Sequence, residues 1–136
     1  MEDCIFCKIV KGELPSTKIY EDEDILAFLD INPINIGHSL IIPKKHYVNI
    51  YDTPEDTLGN MMKVAKIISK SIKTELKADG VNVTMNSDPA AGQVVFHSHL
   101  HVIPRVTSDG FGLWQGRRPY EEGEAKGIAE KIAKSI

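Results

Sequence analysis

The stretch of sequence that decides the fold lies at positions 92–105 and reads Gly92-Gln93-Val94-Val95-Phe96-His97-Ser98-His99-Leu100-His101-Val102-Ile103-Pro104-Arg105. Three of the five histidines of the chain occur here, at every second position. Most of the other residues are apolar, several of them β-branched, which is typical of a strand. Because successive side chains of a strand point to opposite faces, the three histidines are predicted to share one face.

Three histidines on one face suit either a metal site or nucleophilic and acid–base chemistry on a phosphate. Alternate positions of a strand lie about 6–7 Å apart, so three such rings cannot hold one ion with bonds near 2 Å. No run of carboxylates nearby offers a further ligand. We therefore favour chemistry on a phosphate over a metal ion held by all three histidines.

Length and composition predict an ordinary globular protein. The 136 residues are 42% hydrophobic and 26% charged, which predicts one domain over residues 1–136, with a core at about 4–105 and a tail and helix at 106–136. The net charge of −3 gives no electrostatic case for nucleic-acid binding. No apolar run approaches the roughly 20 residues that span a membrane. The first residues lack the features of a secretory signal, so we expect a cytoplasmic protein with reduced cysteines.

The order of the predicted elements indicates an α+β domain with a mainly antiparallel sheet. We predict strands at 18–21, 25–29, 38–43 and 81–85, followed by the histidine strand as the fifth. Thr53 is the predicted N-cap of a helix that has Pro54 at its first position and extends to about residue 76. Met61 and Met62 of this helix are expected to fill the core. A second amphipathic helix is predicted at about 119–134.

Several motifs, in their order along the chain, resemble those of the histidine-triad (HIT) superfamily. Residues 97–103 are similar to its His-φ-His-φ-His-φ-φ motif, where φ is apolar, although Ser98 occupies a φ position. Residues 4–9, 27–31, 37–46 and 86–97 also resemble family segments, most of all those of the histidine-triad nucleotide-binding (Hint/bacterial Hit) branch. The resemblance implies a HIT-like fold, with a five-stranded antiparallel sheet and two helices. It also implies a homodimer with one continuous sheet.

The resemblance implies a nucleotide-binding hydrolase or transferase. Such an enzyme cleaves a purine nucleoside monophosphate, such as AMP, from a phosphoramidate or anhydride through a nucleotidyl-histidine intermediate. A neutral imidazole is nucleophilic at neutral pH, and a covalent intermediate splits one difficult displacement into two easier ones. By resemblance, His99 is the nucleophile, and His101 contacts the phosphate and helps to protonate the leaving group. The chemistry itself requires no metal if neighbouring donors neutralise the phosphate oxygens.

The resemblance also implies which residues bind the nucleotide. Asp30 would hold the ribose hydroxyls, and Asn86 with the backbone around Gly92 and Gln93 would hold the phosphate and leaving group. An apolar slot for the base would consist of Phe6, Ile9, Phe28 and Ile31. Each of these four side chains could instead be plain core, and Asp30 could be only a loop cap.

Two further positions complete this implied site. His38 lies where some family members place another pocket-lining histidine. Val94 stands where close relatives often carry a serine or threonine whose hydroxyl contacts the phosphate. Because this donor is missing, we expect slower or altered handling of the leaving group.

The pair Cys4-x-x-Cys7 is a weak signal by itself, compatible with zinc binding, a redox pair or two free thiols. Structural zinc requires four ligands. Zinc-bearing family members resemble this chain in having two cysteines, a distant histidine and the first triad histidine. The resemblance therefore implies a structural Zn²⁺ held by Cys4, Cys7, His46 and His97. A surface His46 with free thiols remains the alternative.

Two other functions stay open at this point. The first is hydrolysis of diadenosine polyphosphates, as in the Fhit branch of the family, and the second is a nucleotide-binding adaptor whose turnover is incidental. Trp114, in a glycine-rich tail, is a candidate for contact with the leaving group, and packing alone would explain it equally well.

Overall fold

The structure is a computed structural model that describes residues 3–136. Its helices are α1 (Ile5–Val10), α2 (Glu55–Glu75) and α3 (Glu124–Lys134), and its strands are β1 (Lys18–Glu21), β2 (Ile25–Leu29), β3 (Ser39–Pro43), β4 (Gly80–Thr84) and β5 (Leu100–Arg105). The five strands form one antiparallel sheet in the order β1-β2-β3-β5-β4. The predicted five-stranded antiparallel sheet is thus confirmed.

The sheet has two covered faces, because its central strands alternate between them. Ile25, Ala27, Ile41, Leu100 and Val102 pack against the buried side of α2. The residues between them point the other way, and they form a second cluster with α1 that contains Phe6, Leu26, Phe28, Leu40 and Ile42. His101 lies between Leu100 and Val102 and so faces the second cluster. The candidate site therefore develops on the α1 side of the sheet.

Helix α1 was not predicted from the sequence. Cys4 is its N-cap and accepts a hydrogen bond from the Cys7 backbone N–H at 3.4 Å, a short-range contact that places both sulfur atoms at the start of the helix. Phe6 is the residue of α1 that is buried. A helix of six residues is too short to show a clear apolar period, which explains why the prediction missed it.

Several predicted boundaries differ from the structure. Strands β3 and β4 each begin one residue away from the predicted position. The predicted N-cap at Thr53 is wrong, because its hydroxyl donates to the Asn49 carbonyl at 2.6 Å and Pro54 precedes the first residue of α2. Helix α3 begins at Glu124 instead of 119, directly after Gly123, whose left-handed φ of 78° starts it abruptly.

The histidine strand is shorter than predicted. Strand β5 begins only at Leu100, so His97 and His99 lie before it. Opposite them, β3 ends at Pro43, which has no N–H to donate to a ladder. The loop after β3 holds the segment instead, because the Ser98 N–H donates to the Tyr47 carbonyl at 2.7 Å. The three rings nevertheless share the α1 side of the sheet, as predicted, since Phe6 of α1 meets the rings of His97 and His99 at 5.9 and 5.2 Å and the rings of His99 and His101 are 4.9 Å apart.

No helix in the described part of the chain is both long enough and apolar enough to cross a membrane.

The two adjacent methionines of α2 provide a test of the packing. Met61 is fully buried, whereas Met62 is 54% exposed, so the prediction that both fill the core is wrong for Met62. We expect Met61→Ala to lower the free energy of unfolding by about 2–5 kcal/mol through loss of buried contacts and a residual cavity. Met62→Ala should change it by less than about 0.5 kcal/mol. Urea unfolding of both variants measures this, and equal losses would contradict the placement of α2.

Candidate functional site

A cavity of about 700 Å³ opens on the α1 side of the sheet. Its walls are mostly apolar, and its polar side chains are few. This combination is typical of sites that bind small molecules. The lining residues are Ile5, Phe6, Ile9, Leu14, Pro15, Ser16, Phe28, Leu29, Asp30, Ile31, Asn32, Leu40, Asn86, Gly92, Val94, Val95, His99 and His101.

The hydrogen bonds of His99 determine which ring nitrogen carries a proton. Its Nδ1 lies 2.6 Å from the backbone carbonyl oxygen of His97. Since a carbonyl oxygen only accepts, Nδ1–H must be the donor. In the neutral ring the lone pair is then on Nε2. This lone pair is the kind of group that can act as a nucleophile.

His101 has the opposite arrangement, and His38 is the reason. The Ile34 backbone N–H donates to His38 Nδ1 at 3.1 Å, so the proton of neutral His38 is on Nε2. His38 Nε2 lies 2.9 Å from His101 Nδ1 and donates to it. The remaining nitrogen of His101, Nε2, therefore carries a proton. The rings of His99 and His101 are 4.9 Å apart between centroids, so one presents a lone pair beside the donor of the other.

Burial keeps these imidazoles neutral. It lowers the pKa of His101 to about 4, helped by the proximity of His99 and His38. Burial also lowers the pKa of His99 and of His38, although the Asp30 carboxylate opposes the shift at each of them. An imidazole must be unprotonated to act as a nucleophile, and the lowered pKa of His99 favours that neutral form.

One of the two groups in the described chain that could hold a metal ion consists of Asp30, His38 and His101. A metal would need a lone pair on His38 Nε2, which would move the proton of this ring to Nδ1. Nδ1–H would then face the Ile34 N–H, donor against donor. We conclude that this cluster is a hydrogen-bonded relay. Asp30 lies beside it, with Oδ2 3.7 Å from His38 Nε2.

The loop before the histidines places Asn86, Gly92 and Val94 on the cavity wall but turns Gln93 away. The Gln93 side chain is buried, where it accepts from the Asp88 N–H at 2.8 Å and donates to the Val48 carbonyl at 2.6 Å. The backbone N–H groups of Gly92 and Gln93 already donate to the carbonyls of Pro89 and Asp88. The Asn86 amide, whose contact with the Gly92 carbonyl is long at 3.4 Å, is therefore the better donor for a ligand.

The four hydrophobic residues implied for the base slot all line the cavity, although their surroundings differ. Phe6 and Phe28 are also buried core residues, with ring centroids 5.6 Å apart. The ring of Phe6 also meets His99 edge to face at 5.2 Å. Ile31, in contrast, is 89% exposed and lies at the rim. The two phenylalanines therefore pack in the core and line the cavity at the same time.

The N-terminal cysteines meet two histidines from distant parts of the chain. His97 Nδ1 lies 3.4 Å from Cys4 Sγ, 3.6 Å from Cys7 Sγ and 3.2 Å from His46 Nδ1. Cys7 Sγ is 3.3 Å from His46 Nδ1. His97 donates through Nε2 to the Pro43 carbonyl at 2.7 Å, which directs the lone pair of Nδ1 toward the sulfur atoms.

These four atoms fit a tetrahedral metal ion. Metal–ligand bonds of 2.0–2.3 Å correspond to ligand–ligand distances of about 3.3–3.8 Å in a tetrahedron, close to the distances observed. Burial lowers the pKa of His97 to about 4, so its ring is neutral, as a ligand must be. The four residues together can hold a metal ion.

The tail lies outside this cavity. Trp114 is 74% exposed and does not line the cavity. Phe111 and Leu113 contribute instead to a separate cavity of about 480 Å³ beside β4. The Arg105 guanidinium at that cavity is already paired with Asp109 at 2.8 and 2.9 Å. This second cavity is lined by no histidine, and the Arg105 side chain there is already paired. It is therefore a weaker candidate for the reactive site.

The sequence analysis missed Ser16 and Asn32, two polar residues on the cavity wall. They follow short turn and loop signals that resemble many others in the chain. Only the folding of the segments around β2 brings them to the cavity. His38 is also placed differently from the expectation, since it lies behind His101 and is not on the wall.

Comparison with known proteins agrees with this architecture. The sequence matches the HIT domain family over residues 11–108. The chain is 41% identical to "Protein hit" of Bacillus subtilis over 99% of this chain and 95% of that protein. It is 47% identical to "Adenylylsulfatase HINT3" of Arabidopsis thaliana over 79% of this chain but only 54% of that protein. The chain belongs to the HIT family.

Solved structures share the whole fold. A Zn-bound histidine triad family protein from Mycobacterium smegmatis superposes with a TM-score of 0.78 and 40% identity, covering 99% of both chains. A histidine triad nucleotide-binding protein from Candida albicans superposes with a TM-score of 0.87 and 36% identity, covering 98% of this chain and 96% of the other.

The lowered pKa of His101 predicts a pH-dependent stability. The unfolded residue titrates near 6.5 and the folded one at about 4. Between these values the unfolded chain binds about one more proton at this site, so the free energy of unfolding decreases as pH falls from 6.5 to 4.

The variant His101→Gln should remove about one proton from the slope of this free energy against pH. Urea titrations between about pH 4.5 and 6.5 measure the slope, and the difference between variant and parent cancels the titrating groups that do not interact with His101. Equal slopes would contradict the burial of a neutral His101.

Proposed function

We propose that this protein is a nucleotide-binding hydrolase that releases a purine nucleoside monophosphate, such as AMP, from a phosphoramidate or anhydride. The observation that carries the proposal is the opposed pair at the cavity wall, where the lone pair of His99 lies beside the Nε2–H of His101. The names of two relatives support it, since one is an adenylylsulfatase and the other a nucleotide-binding protein.

In the first step, His99 Nε2 attacks the α-phosphorus in line with the leaving group. A P–N bond to the enzyme forms, and the bond from phosphorus to the leaving nitrogen or oxygen breaks. His101 Nε2–H donates a hydrogen bond to a phosphate oxygen during the attack and to the departing atom, which takes a proton from solvent as it leaves. His38 contributes as a positioning residue, because its Nε2–H keeps the proton of His101 on the side of the substrate.

In the second step, water attacks the phosphorus of the nucleotidyl-His99 intermediate. The Nε2–P bond breaks, the nucleoside monophosphate departs, and the proton released by the attacking water returns to solvent. The imidazole of His99 regains its lone pair, with Nδ1–H still bound to the His97 carbonyl. Two displacements thus leave both histidines in their starting states.

The charge of the cavity supports a substrate with a single bound phosphate. No lysine or arginine is among the lining residues, and Asp30 is the charged one. A polyphosphate chain would bring several negative charges without a cationic partner, which is unfavourable in an apolar cavity. The apolar walls around Phe6 and Phe28 suit a flat base, and Asp30 can accept from ribose hydroxyls.

We further propose that Cys4, Cys7, His46 and His97 bind a structural Zn²⁺. The distances within the cluster and the Zn-bound relative support this. When bound, zinc would supply a cross-link among α1, the loop after β3 and the histidine segment. The zinc would not contact His99 or His101. It would instead fix His97, whose backbone carbonyl orients the ring of His99.

We also propose a homodimer with a continuous sheet, because β4 is an edge strand with one side available for pairing. The expected location is the cytoplasm, where thiol ligands stay reduced.

Zinc content tests the metal proposal. Protein purified without added metal should contain about one zinc per chain, because the Asp30 cluster is unsuited to a second ion. His46→Ala should lose the metal and unfold at a lower temperature, while Lys45→Ala, an exposed neighbour, should retain it. Elemental analysis and thermal unfolding with and without chelator measure both effects. A metal-free parent whose unfolding ignores the chelator would contradict the proposal.

The reaction is tested by assaying adenosine phosphoramidate and diadenosine polyphosphates side by side. We expect the phosphoramidate to be the better substrate and His99→Ala to reduce its turnover by about 10³-fold or more, because the nucleophile is removed. AMP binding by calorimetry controls for an intact cavity and should persist in the variant.

The other outcomes separate the alternatives. Turnover that survives His99→Ala would overturn the histidine-nucleophile mechanism. Preference for diadenosine polyphosphates would favour a Fhit-like hydrolase, and tight AMP binding without turnover of either substrate would favour an adaptor.

A further inference from the structure

Ser16 is a polar residue on the wall of the large cavity that the proposed reaction leaves without a role. The polar side chains on this wall are those of Ser16, Asp30, Asn32, Asn86, His99 and His101. The two histidines serve the reaction, Asn86 serves the phosphate, and Asp30 serves the ribose. Because a few polar groups in an apolar cavity determine which ligand fits, Ser16 and Asn32 are the candidates for contact with the base.

Of these two residues, Ser16 is the better suited. Asn32 is exposed, and its backbone N–H donates to Asp30 Oδ1 at 2.8 Å, which keeps it beside the residue that would hold the ribose. Ser16 is half-buried, and its hydroxyl makes no hydrogen bond to the described residues 3–136. A hydroxyl that a ligand covers without bonding to it costs free energy, so a ligand that fills this end of the cavity should satisfy it.

The register of the sheet places Ser16 far from the reacting histidines. One row of paired residues across the sheet consists of His101, Leu40, Phe28 and Lys18. Paired residues share a face, and neighbouring strands lie about 4.8 Å apart, so the row spans about 14 Å. Ser16 lies two residues before Lys18 and on the same face of an extended chain. The Leu29 N–H donates to the Thr17 carbonyl at 2.9 Å, which continues the pairing toward Ser16.

The Asp30 carboxylate shows on which side of the ribose the base would lie. Its Oδ2 is 3.7 Å from His38 Nε2, so this oxygen is directed toward the start of β3 and away from β1. A ribose bound there would have its phosphate toward His99 and its base on the side of β1 and Ser16. The purine atoms farthest from the ribose are N1 and the substituent of C6, and these would meet Ser16.

We propose that the Ser16 hydroxyl forms a hydrogen bond with N1 or the C6 substituent of a purine base and thereby favours purines over pyrimidines. A hydroxyl both donates and accepts, so it can donate to N1 of adenine or accept from the amino group on C6. A pyrimidine has a single ring, and its outer edge stops short of Ser16. This inference rests on the proposed function and gives it a residue for base selection.

Binding of AMP and CMP, measured by calorimetry, tests the selection. Ser16→Ala should weaken AMP binding by about fivefold, because one hydrogen bond is lost, and should change CMP binding by less than about twofold. Thr17→Ala is the matched control, since Thr17 is exposed and does not line the cavity, and it should change neither affinity. Unchanged AMP binding, or an equal loss for both nucleotides, would overturn the proposal.

Base analogues locate the hydrogen bond. The 1-deaza analogue of AMP lacks N1, and purine riboside monophosphate lacks the amino group on C6. One of the two should bind the parent protein about fivefold more weakly than AMP does and should lose nothing further in Ser16→Ala, because the same contact is already absent. A further loss in Ser16→Ala with both analogues would contradict a hydrogen bond at this edge of the base.

Failure of this inference is distinguishable from failure of the proposed function. If the parent protein hydrolyses adenosine phosphoramidate and Ser16→Ala binds AMP as tightly as the parent does, only the contact with Ser16 is overturned. A parent protein that binds neither nucleotide would overturn the proposed function and this inference together.

Discussion

The candidate site depends on three contacts made by one residue, His97. Its Nε2–H donates to the Pro43 carbonyl at 2.7 Å, its Nδ1 faces Cys4, Cys7 and His46, and its backbone carbonyl accepts from His99 Nδ1 at 2.6 Å. Because the ring is fully buried, all three contacts are fixed together. The end of β3, the cysteine–histidine cluster and the orientation of His99 are therefore parts of one arrangement.

This arrangement explains how equally spaced histidines acquire different roles. Pro43 ends the ladder between β3 and β5, and the segment before Leu100 leaves the strand. His97 turns to the cluster, while His99 and His101 turn to the cavity. Backbone groups then determine which ring nitrogens carry protons. The His97 carbonyl accepts from His99 Nδ1–H, and the Ile34 N–H donates to His38, which in turn donates to His101. Neutral rings in opposite tautomers place a lone pair beside a hydrogen-bond donor.

The sequence was sufficient for features that depend on pattern. The order of the predicted elements indicated the antiparallel sheet, and motif resemblance brought together the four residues of the cluster and most of the cavity wall. Features that depend on a single contact were not predictable. The place where β5 begins follows from the missing N–H of Pro43, and the side of α2 that exposes Met62 follows from the helix orientation. The placement of Gln93 also could not be predicted. Its side chain is hydrogen-bonded to Asp88 and Val48 away from the cavity, whereas its neighbours in the loop line the cavity.

The tautomers of the histidines are the central claim of this account, and NMR measures them directly. Long-range ¹H–¹⁵N correlations on protein labelled at histidine distinguish Nδ1–H from Nε2–H rings at neutral pH. We expect His99 to be the Nδ1–H tautomer, with His38 and His101 both in the Nε2–H form. A proton on His99 Nε2, or on His101 Nδ1, would contradict the account, because the lone pair and the hydrogen-bond donor that face the cavity would then have exchanged places.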